Sequence, residues 1–147
     1  MILLDTNVIS EPWRPRPDDS AIAWLEAQPF NSLYLCTPVL AELRFGAERL
    51  EPGGRRDRLR TFIDRLENEV YRGRVFVLDP AAAAEYGRVA AMRERAGRRI
   101  ELMDAMIAAI AIVHRAAVAT RDVSDFTGLG LEPVSYTHLT LPTNREV

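Results

Sequence analysis

The chain has 147 residues, of which 48% are hydrophobic and 27% are charged, which suits a single domain with one core. The net charge of −2 excludes a global basic field, and the only cysteine, Cys36, excludes an internal disulfide and a cysteine-based zinc site. No apolar segment approaches the roughly 20 residues of a membrane span, and the apolar start lacks the basic leader of a signal peptide. We therefore expect a cytoplasmic protein without membrane contact, in which Cys36 is a buried, inert thiol.

Apolar segments and helical patterns alternate along the chain. We predict strands over 1–5, 33–37, 75–78 and 116–119, and a last strand near 131–134. A loop over 11–19 and a helix over 20–28 are predicted between the first two strands, and a helical hairpin that turns at Pro52-Gly53-Gly54 between the second and the third. Two further helices, from Asp79-Pro80 to about Arg95 and from Glu101 to His114, are predicted between the third strand and the fourth. Strands that alternate with helices favour parallel pairing through right-handed crossovers. The predicted fold class is therefore α/β, with a mostly parallel central sheet of about five strands flanked by helices.

Local signals indicate where several of these helices begin and end. Ser20 is expected to cap the helix over 20–28, and Thr37 followed by Pro38 favours a helix start with proline at the first helical position. Gly97 is expected to end the helix that begins at Asp79-Pro80. Two of the predicted helices therefore begin directly after predicted strands.

Every basic residue of the chain is an arginine, and the densest group of them lies between residues 55 and 65. Arginine binds phosphate in a bidentate manner, but a GC-rich genome explains the absence of lysine equally well. The group is interleaved with acidic residues, which is typical of a solvated helix face rather than a nucleic-acid-binding patch.

Residues 135–147 differ in character from the rest of the chain. They show neither strand alternation nor helical periodicity, whereas the chain upstream is rich in Ala, Arg and Glu. We interpret residues 1–134 as the domain and residues 135–147 as a tail. The tail is either a foreign extension, such as a cloning or sequencing scar, or a mobile native terminus.

Four acidic residues fall at the predicted ends of strands or in the first turns of the helices that follow. They are Asp5, Glu42, Asp104 and Asp122. The carboxyl ends of parallel strands border one crevice, where several carboxylates repel each other unless protons or a metal intervene. Magnesium and manganese favour oxygen ligands, so this pattern indicates a divalent-metal site that cleaves a phosphodiester.

Each acid also has a purely structural interpretation. Asp5 alone is explained as the cap of a helix that starts at Thr6, and Asp104 as a favourable charge in the first turn of its helix. Glu42 alone is explained as a surface acid. The neighbouring polar residues are explained either as turn and cap residues or as supports for a ligand: Asn7, Thr120, Asp122 and Asp125.

The acids lie within four segments of recognisable sequence. These are Leu3-Leu4-Asp5-Thr6-Asn7-Val8-Ile9-Ser10, Thr37-Pro38-Val39-Leu40-Ala41-Glu42-Leu43-Arg44-Phe45-Gly46, Leu102-Met103-Asp104-Ala105-Met106-Ile107-Ala108-Ala109 and Ala119-Thr120-Arg121-Asp122-Val123-Ser124-Asp125-Phe126, the last followed by Gly128-Leu129-Gly130-Leu131. In this order they resemble the four motifs of PIN-domain ribonuclease toxins of the VapC or FitB-like type. The resemblance covers about residues 1–134. It departs from the family near the end, where Glu132-Pro133-Val134 stands in place of the usual Pro-Trp segment.

The resemblance implies a parallel sheet flanked by helices and RNA cleavage that depends on Mg²⁺ or Mn²⁺. By motif position it implies a catalytic quartet of Asp5, Glu42, Asp104 and Asp122, with the metal held by Asp5, Asp104 and Asp122. Asn7, Thr120 and Asp125 would be supporting residues. Many relatives carry asparagine at the place of Asp122 and a later aspartate, so Asp122 and Asp125 share or exchange the fourth role.

The same resemblance implies a toxin of a type II toxin–antitoxin system, with RNA as substrate and with a cognate antitoxin and a second copy of the chain as partners. DNA would be contacted only through the antitoxin. Two alternatives stay open: a DNA-directed nuclease, and a non-catalytic PIN module that acts with its antitoxin in DNA-binding autoregulation. Phe45 and Trp24 either belong to an antitoxin groove or dimer face, or are ordinary core aromatics.

Overall fold

The computed structural model of the chain describes residues 1–130 and 133–135. The strands are β1 (Ile2–Leu4), β2 (Leu33–Cys36), β3 (Val75–Phe76), β4 (Ala117–Thr120) and β5 (Pro133–Ser135). The α-helices of the described residues are α1 (Thr6–Ile9), α2 (Asp19–Ala27), α3 (Thr37–Glu48), α4 (Gly54–Arg65), α5 (Pro80–Arg95) and α6 (Leu102–His114). In this part of the chain, no helix is both long enough and apolar enough to cross a bilayer.

The strands form one parallel sheet in the order β3-β2-β1-β4-β5. Strands β2, β1, β4 and β5 make a continuous ladder, and the two-residue β3 pairs with β2 at one edge. Each of the first four strands is followed by a helix or a helical turn. The prediction of an α/β fold with a parallel central sheet flanked by helices is therefore confirmed.

The core is built from the central strands and from α6. Leu3 and Leu4 of β1 are completely buried, as expected for a parallel strand covered on both faces. Helix α6 buries an almost continuous apolar segment, and its alanines at 105, 108, 109 and 111 have no exposed surface. Such small residues allow α5 and the sheet to pack closely against α6. This close packing fixes the position of the first turn of α6.

Two of the predicted capping residues are wrong. Helix α2 is capped by Asp18, whose carboxylate accepts hydrogen bonds from the N–H groups of Ser20 and Ala21, and Ser20 lies inside the helix. Helix α3 starts at Thr37, but the Thr37 hydroxyl accepts a hydrogen bond from the N–H of Leu78 at 3.2 Å. That hydroxyl joins α3 to the segment after β3, and a local sequence pattern cannot indicate such a contact.

Other local predictions are confirmed. Asp79 caps α5 by accepting from the N–H of Ala82, and Gly97 follows the helix with a φ of 73°. Cys36 has no exposed surface, and burial raises the pKa of its thiol to about 12, so it is inert at neutral pH. Trp24 is a core residue, whereas Phe45 exposes 64% of its surface.

Strand β5 covers part of the predicted last strand and reaches Ser135, the first residue of the predicted tail. It pairs with β4, with Thr120 opposite Ser135. Residues 131, 132 and 136–147 lie outside the described residues. The division of the chain into a domain over 1–134 and a tail over 135–147 therefore stays a prediction.

Candidate active site

Asp5 and Thr120 lie side by side at the carboxyl ends of neighbouring strands. Strands β1 and β4 are parallel with Leu4 opposite Ala119, so the next residue along β1 falls beside the last residue of β4. The N–H of Asp5 donates to the carbonyl of Ala119 at 3.0 Å and continues this pairing. The chain leaves β1 towards β2 on one side while β4 lies on the other, and open α/β sheets form their ligand crevice at such a point.

The carboxylate of Asp5 is buried and held by two hydrogen bonds. It is only 5% exposed; its Oδ1 accepts from the N–H of Thr6 at 2.7 Å, and its Oδ2 accepts from the Thr120 hydroxyl at 2.8 Å. The first bond caps α1, as the structural interpretation of this residue required. The second fixes the orientation of the carboxylate within the crevice.

Thr120 also connects Asp5 to Asp122. Its hydroxyl is fully buried, donates to Asp5 and accepts from the N–H of Asp122 at 3.0 Å. Asn7 approaches Asp122 from the other side, because its Nδ2 donates to Oδ2 of Asp122 at 3.3 Å. Asn7 and Thr120 therefore make the contacts expected of residues that support an acidic site.

Glu42 faces the crevice from the second turn of α3. Its Oε1 accepts from the hydroxyl of Thr6 at 2.5 Å, and its side chain is half-buried. Because the N–H of Thr6 is bonded to Asp5, a single residue connects the two carboxylates. The interpretation of Glu42 as an isolated surface acid is therefore wrong.

Asp104 is half-buried in the first turn of α6, and its carboxylate makes no hydrogen bond to another residue of the described chain. Burial, followed by the negative charges of four other acids, raises the pKa of its carboxyl from 3.8 to about 7. In order of effect these are Asp5, Asp125, Glu42 and Asp122. The fold therefore brings all the acids singled out in the sequence into one electrostatic group.

Burial likewise raises the pKa of Asp5, and the charges of Glu42 and Asp122 act in the same direction. The hydrogen bonds from Thr120 and Thr6 oppose this shift without cancelling it. The charges that act on the pKa values of Asp5 and Asp104 are those of other acids. The crevice therefore holds uncompensated negative charge, which protons or a cation would stabilise.

The chemistry of this donor set fits a hard divalent cation. Magnesium and manganese prefer carboxylate oxygens, and Asp104 offers an unpaired carboxylate in a partly desolvated, negative surrounding. No three His, Cys, Asp or Glu side chains in the described part of the chain already share a coordination geometry. Asp5, Glu42 and Asp122 each direct an oxygen to a different hydrogen-bond partner. The expected ligands would have to reorient around an ion.

Asp122 and Asp125 both lie on the short turn that follows β4. The N–H of Asp125 donates to the carbonyl of Asp122 at 3.0 Å and closes the 3-10 turn Val123–Phe126. Asp122 contacts Asn7, whereas Asp125 has the stronger effect on the pKa of Asp104. Both residues thus reach the crevice from one turn, and which of them fills the fourth role stays open.

Two buried charged residues near this turn were not singled out in the sequence. Arg93 of α5 is 6% exposed and donates to the carbonyls of Asp125 and Thr127. Glu11 is 2% exposed and accepts from Arg121, the residue before Asp122. Arg93 had a signal in the sequence, since it continues the buried helical stripe of Ala82 and Val89. Glu11 lies in a predicted loop and had none.

Comparison with known proteins shows the same architecture. The family profile described as PIN domain matches residues 2–127. VapC ribonuclease Y4jK of Sinorhizobium fredii is 43% identical over 138 residues, which covers 92% of this chain and 96% of the relative. Toxin FitB of Neisseria gonorrhoeae is 38% identical over 126 residues, covering 86% and 91%.

Solved structures agree with the sequence relatives. A chain in the structure of FitAB bound to the IR36 DNA fragment superposes with a TM-score of 0.88 at 35% identity, and the match covers 95% of this chain and 97% of the other. The profile match includes the strands and helices that carry the crevice acids. The chain therefore belongs to the PIN-domain family, in its VapC and FitB-like branch.

Proposed function

We propose that the chain is the toxin of a type II toxin–antitoxin system and that it cleaves RNA with the help of Mg²⁺ or Mn²⁺. The observation that carries the proposal is the unpaired carboxylate of Asp104 beside Asp5, in a crevice with uncompensated negative charge. The names of the relatives, a VapC ribonuclease and a FitB toxin, support the RNA substrate and the toxin role. Such a protein would act in the cytoplasm, where its RNA substrate is found.

Asp5, Asp104 and Asp122 would hold the ion, with Asp125 sharing or taking the place of Asp122. A divalent ion held there would supply positive charge for the scissile phosphate and would acidify a water molecule. Attack of that water on the phosphorus, with departure of the 3′-oxygen, would leave 5′-phosphate and 3′-hydroxyl ends. Thr6 and Thr120 keep the carboxylate of Asp5 oriented.

We assign the role of general base to Glu42. Both oxygens of Asp5 already accept hydrogen bonds, whereas Glu42 accepts one, through Oε1. Its other oxygen is available to take a proton from the attacking water.

The crevice also suits a basic segment of an antitoxin. An arginine placed among Asp5, Glu42 and Asp104 would form charge-assisted hydrogen bonds and compete with the metal. A groove of about 280 Å³ beside Glu42 is lined by apolar residues such as Leu43 and Phe62, and could take the apolar side of the same segment. Phe45 is exposed on α3, but Trp24 is buried and takes no part in such a surface.

DNA-binding autoregulation through the antitoxin is a second function that the comparisons favour. One similar structure is a FitAB complex bound to DNA, and another is a VapBC complex from Salmonella typhimurium bound to DNA. We propose that this chain reaches DNA in the same indirect way and forms a homodimer in that assembly. Cleavage of RNA and autoregulation are compatible, so this function adds to the first.

Incubation of the purified chain with a panel of RNAs tests the main proposal. Cleavage is expected with Mn²⁺ or Mg²⁺, to be absent in EDTA and to yield 5′-phosphate ends. A matched single-stranded DNA panel tests the DNA-directed alternative. Full-rate cleavage in EDTA would exclude the metal mechanism, and cleavage of DNA alone would exclude the ribonuclease assignment.

Inhibition by the antitoxin is tested with a synthetic segment of its toxin-binding region. The segment is expected to stop cleavage, and its arginine-to-alanine variant is expected to inhibit less, with full recovery at high Mn²⁺. Equal inhibition by both segments, with Mn²⁺ affinity unchanged, would place the antitoxin away from the acidic crevice.

A further inference from the structure

Arg93 occupies a core position on α5. It lies four residues after Val89 on the face that α5 buries, and only 6% of its surface is exposed. A charged side chain at such a position is costly unless its N–H groups find acceptors. The contacts of Arg93 should therefore explain why a cation is placed there.

Among the described residues, the guanidinium of Arg93 forms its hydrogen bonds with backbone carbonyls. Its Nη2 donates to the carbonyl of Asp125 at 2.6 Å and to the carbonyl of Thr127 at 3.0 Å. It forms no ion pair in the described part of the chain. Its hydrogen bonds therefore go to the turn that follows β4 rather than to an acidic partner.

A second arginine holds the same turn from the surface. Arg98, just beyond the end of α5, is exposed, and its Nη2 donates to the carbonyl of Ser124 at 3.3 Å. The carbonyls of Ser124, Asp125 and Thr127 are thus all bonded to guanidinium groups from α5 and its end. The carboxylates of the turn stay unpaired with these arginines.

These hydrogen bonds fix the position of the turn without neutralising the charge of its carboxylates. An arginine paired directly with Asp122 or Asp125 would neutralise a carboxylate that the crevice needs as an anion. Bonding to carbonyls fixes the backbone of the turn and leaves the acidic oxygens available for a cation. Residues that orient ligands in this indirect way contribute strongly to metal affinity.

We infer that Arg93, assisted by Arg98, is a positioning residue that fixes the Val123–Phe126 turn so that Asp122 and Asp125 face Asp104. The inference deepens the proposed function and rests on it for the role of the acids. It assigns to α5, which carries none of the crevice acids, a specific part in building the site.

The test compares Arg93→Lys with the control Arg88→Ala. Lysine keeps the charge at position 93 but puts a flexible ammonium where the planar guanidinium holds Nη2 against the carbonyls of Asp125 and Thr127. Arg88 is an exposed residue of the same helix that pairs with Glu85. In Arg93→Lys the Mn²⁺ concentration for half-maximal cleavage should rise about tenfold and kcat should fall, with KM for RNA unchanged. Excess Mn²⁺ should restore part of kcat. Arg88→Ala should match the wild type.

Two measurements without RNA complete the test. Direct Mn²⁺ binding, followed by electron paramagnetic resonance, should weaken in Arg93→Lys by the same factor as the kinetic value. Amide hydrogen exchange over residues 121–127 should become faster while exchange in β1 and α6 stays unchanged. Unchanged Mn²⁺ affinity and unchanged exchange in this turn would overturn the inference, even if the melting temperature falls.

If Arg93→Lys does not fold, Arg98→Ala replaces it in the test. Arg98 is on the surface, and among the described residues its side chain donates only to the carbonyl of Ser124. A weaker Mn²⁺ affinity and faster exchange of the turn would support the inference, and wild-type values for both would refute it. A wild-type protein that binds Mn²⁺ without cutting RNA would instead refute the proposed ribonuclease, and the binding and exchange measurements would still decide the role of Arg93.

Discussion

The acidic crevice and the α3–α4 hairpin use the same two kinds of charged group with opposite results. On the hairpin, Arg44 pairs with Asp64 at 2.8 Å and with Glu67 at 2.9 Å. In the crevice, the carboxylates of Glu42, Asp122 and Asp5 accept hydrogen bonds from the uncharged side chains of Thr6, Asn7 and Thr120. The hairpin therefore neutralises its charges at the solvent-exposed surface, whereas the crevice concentrates negative charge in a partly buried site.

The pKa values show the consequence of this difference. The hydrogen bond from Arg60 holds the pKa of Glu48 on the hairpin below its usual value. Burial and neighbouring acids raise the pKa values of Asp5 and Asp104. A cluster of like charges destabilises the fold, so its presence in one crevice indicates a functional site. Paired surface charges contribute to solubility and a little to stability.

The largest expected effect is on cleavage by Asp104→Asn. This change removes a carboxylate that the cation needs, so the rate should fall by roughly two to three orders of magnitude, the scale of removing one electrostatic contribution to a transition state. The melting temperature should stay the same or rise, because one repelling charge is removed. The matched control is Asp64→Asn on the hairpin, which should leave the rate unchanged. An Asp104→Asn variant that keeps most of its activity would remove this residue from the site.

A smaller effect is expected on the pH dependence of stability in EDTA. The folded protein holds the Asp104 proton more tightly than the unfolded chain, since the pKa is about 7 instead of 3.8. Stabilisation that is complete at low pH should therefore be lost as the pH rises through about 7. After discounting for solvent screening at a half-buried group, we expect a loss of about 1–2 kcal/mol.

Denaturant unfolding at several pH values, in wild type and in Asp104→Asn, measures this effect as a difference between the two proteins. The variant should lose less stability between about pH 5 and about pH 8. Parallel curves for the two proteins would show that Asp104 titrates normally in the folded state.

The smallest effect is expected for Arg44→Ala on the hairpin. Its pairs with Asp64 and Glu67 are exposed to solvent, so the free energy of unfolding should fall by less than about 1 kcal/mol. RNA cleavage and Mn²⁺ affinity should stay at wild-type values. A loss of activity as large as that of Asp104→Asn would contradict the conclusion that the hairpin charges take no part in cleavage.

Much of the fold and the set of acids followed from the sequence alone, because the signals involved are local. Apolar segments such as 1–5 and 116–119 predicted strands, and the alternation with helices predicted a parallel sheet whose carboxyl ends carry Asp5 and Thr120. The prediction of Asp79 at the start of a helix was also confirmed, since a cap depends on a few neighbouring residues.

The tertiary structure alone decided which residues meet across the chain. The strand order placed Asp5 beside Thr120, 115 positions later, and burial among other acids set the pKa of Asp104. The buried position of Arg93 and its bonds to the turn after β4 depend on how α5 packs, because arginine in a sequence is by default an exposed residue. Composition and periodicity determined which groups this protein has, and packing determined which of them remain charged and unpaired.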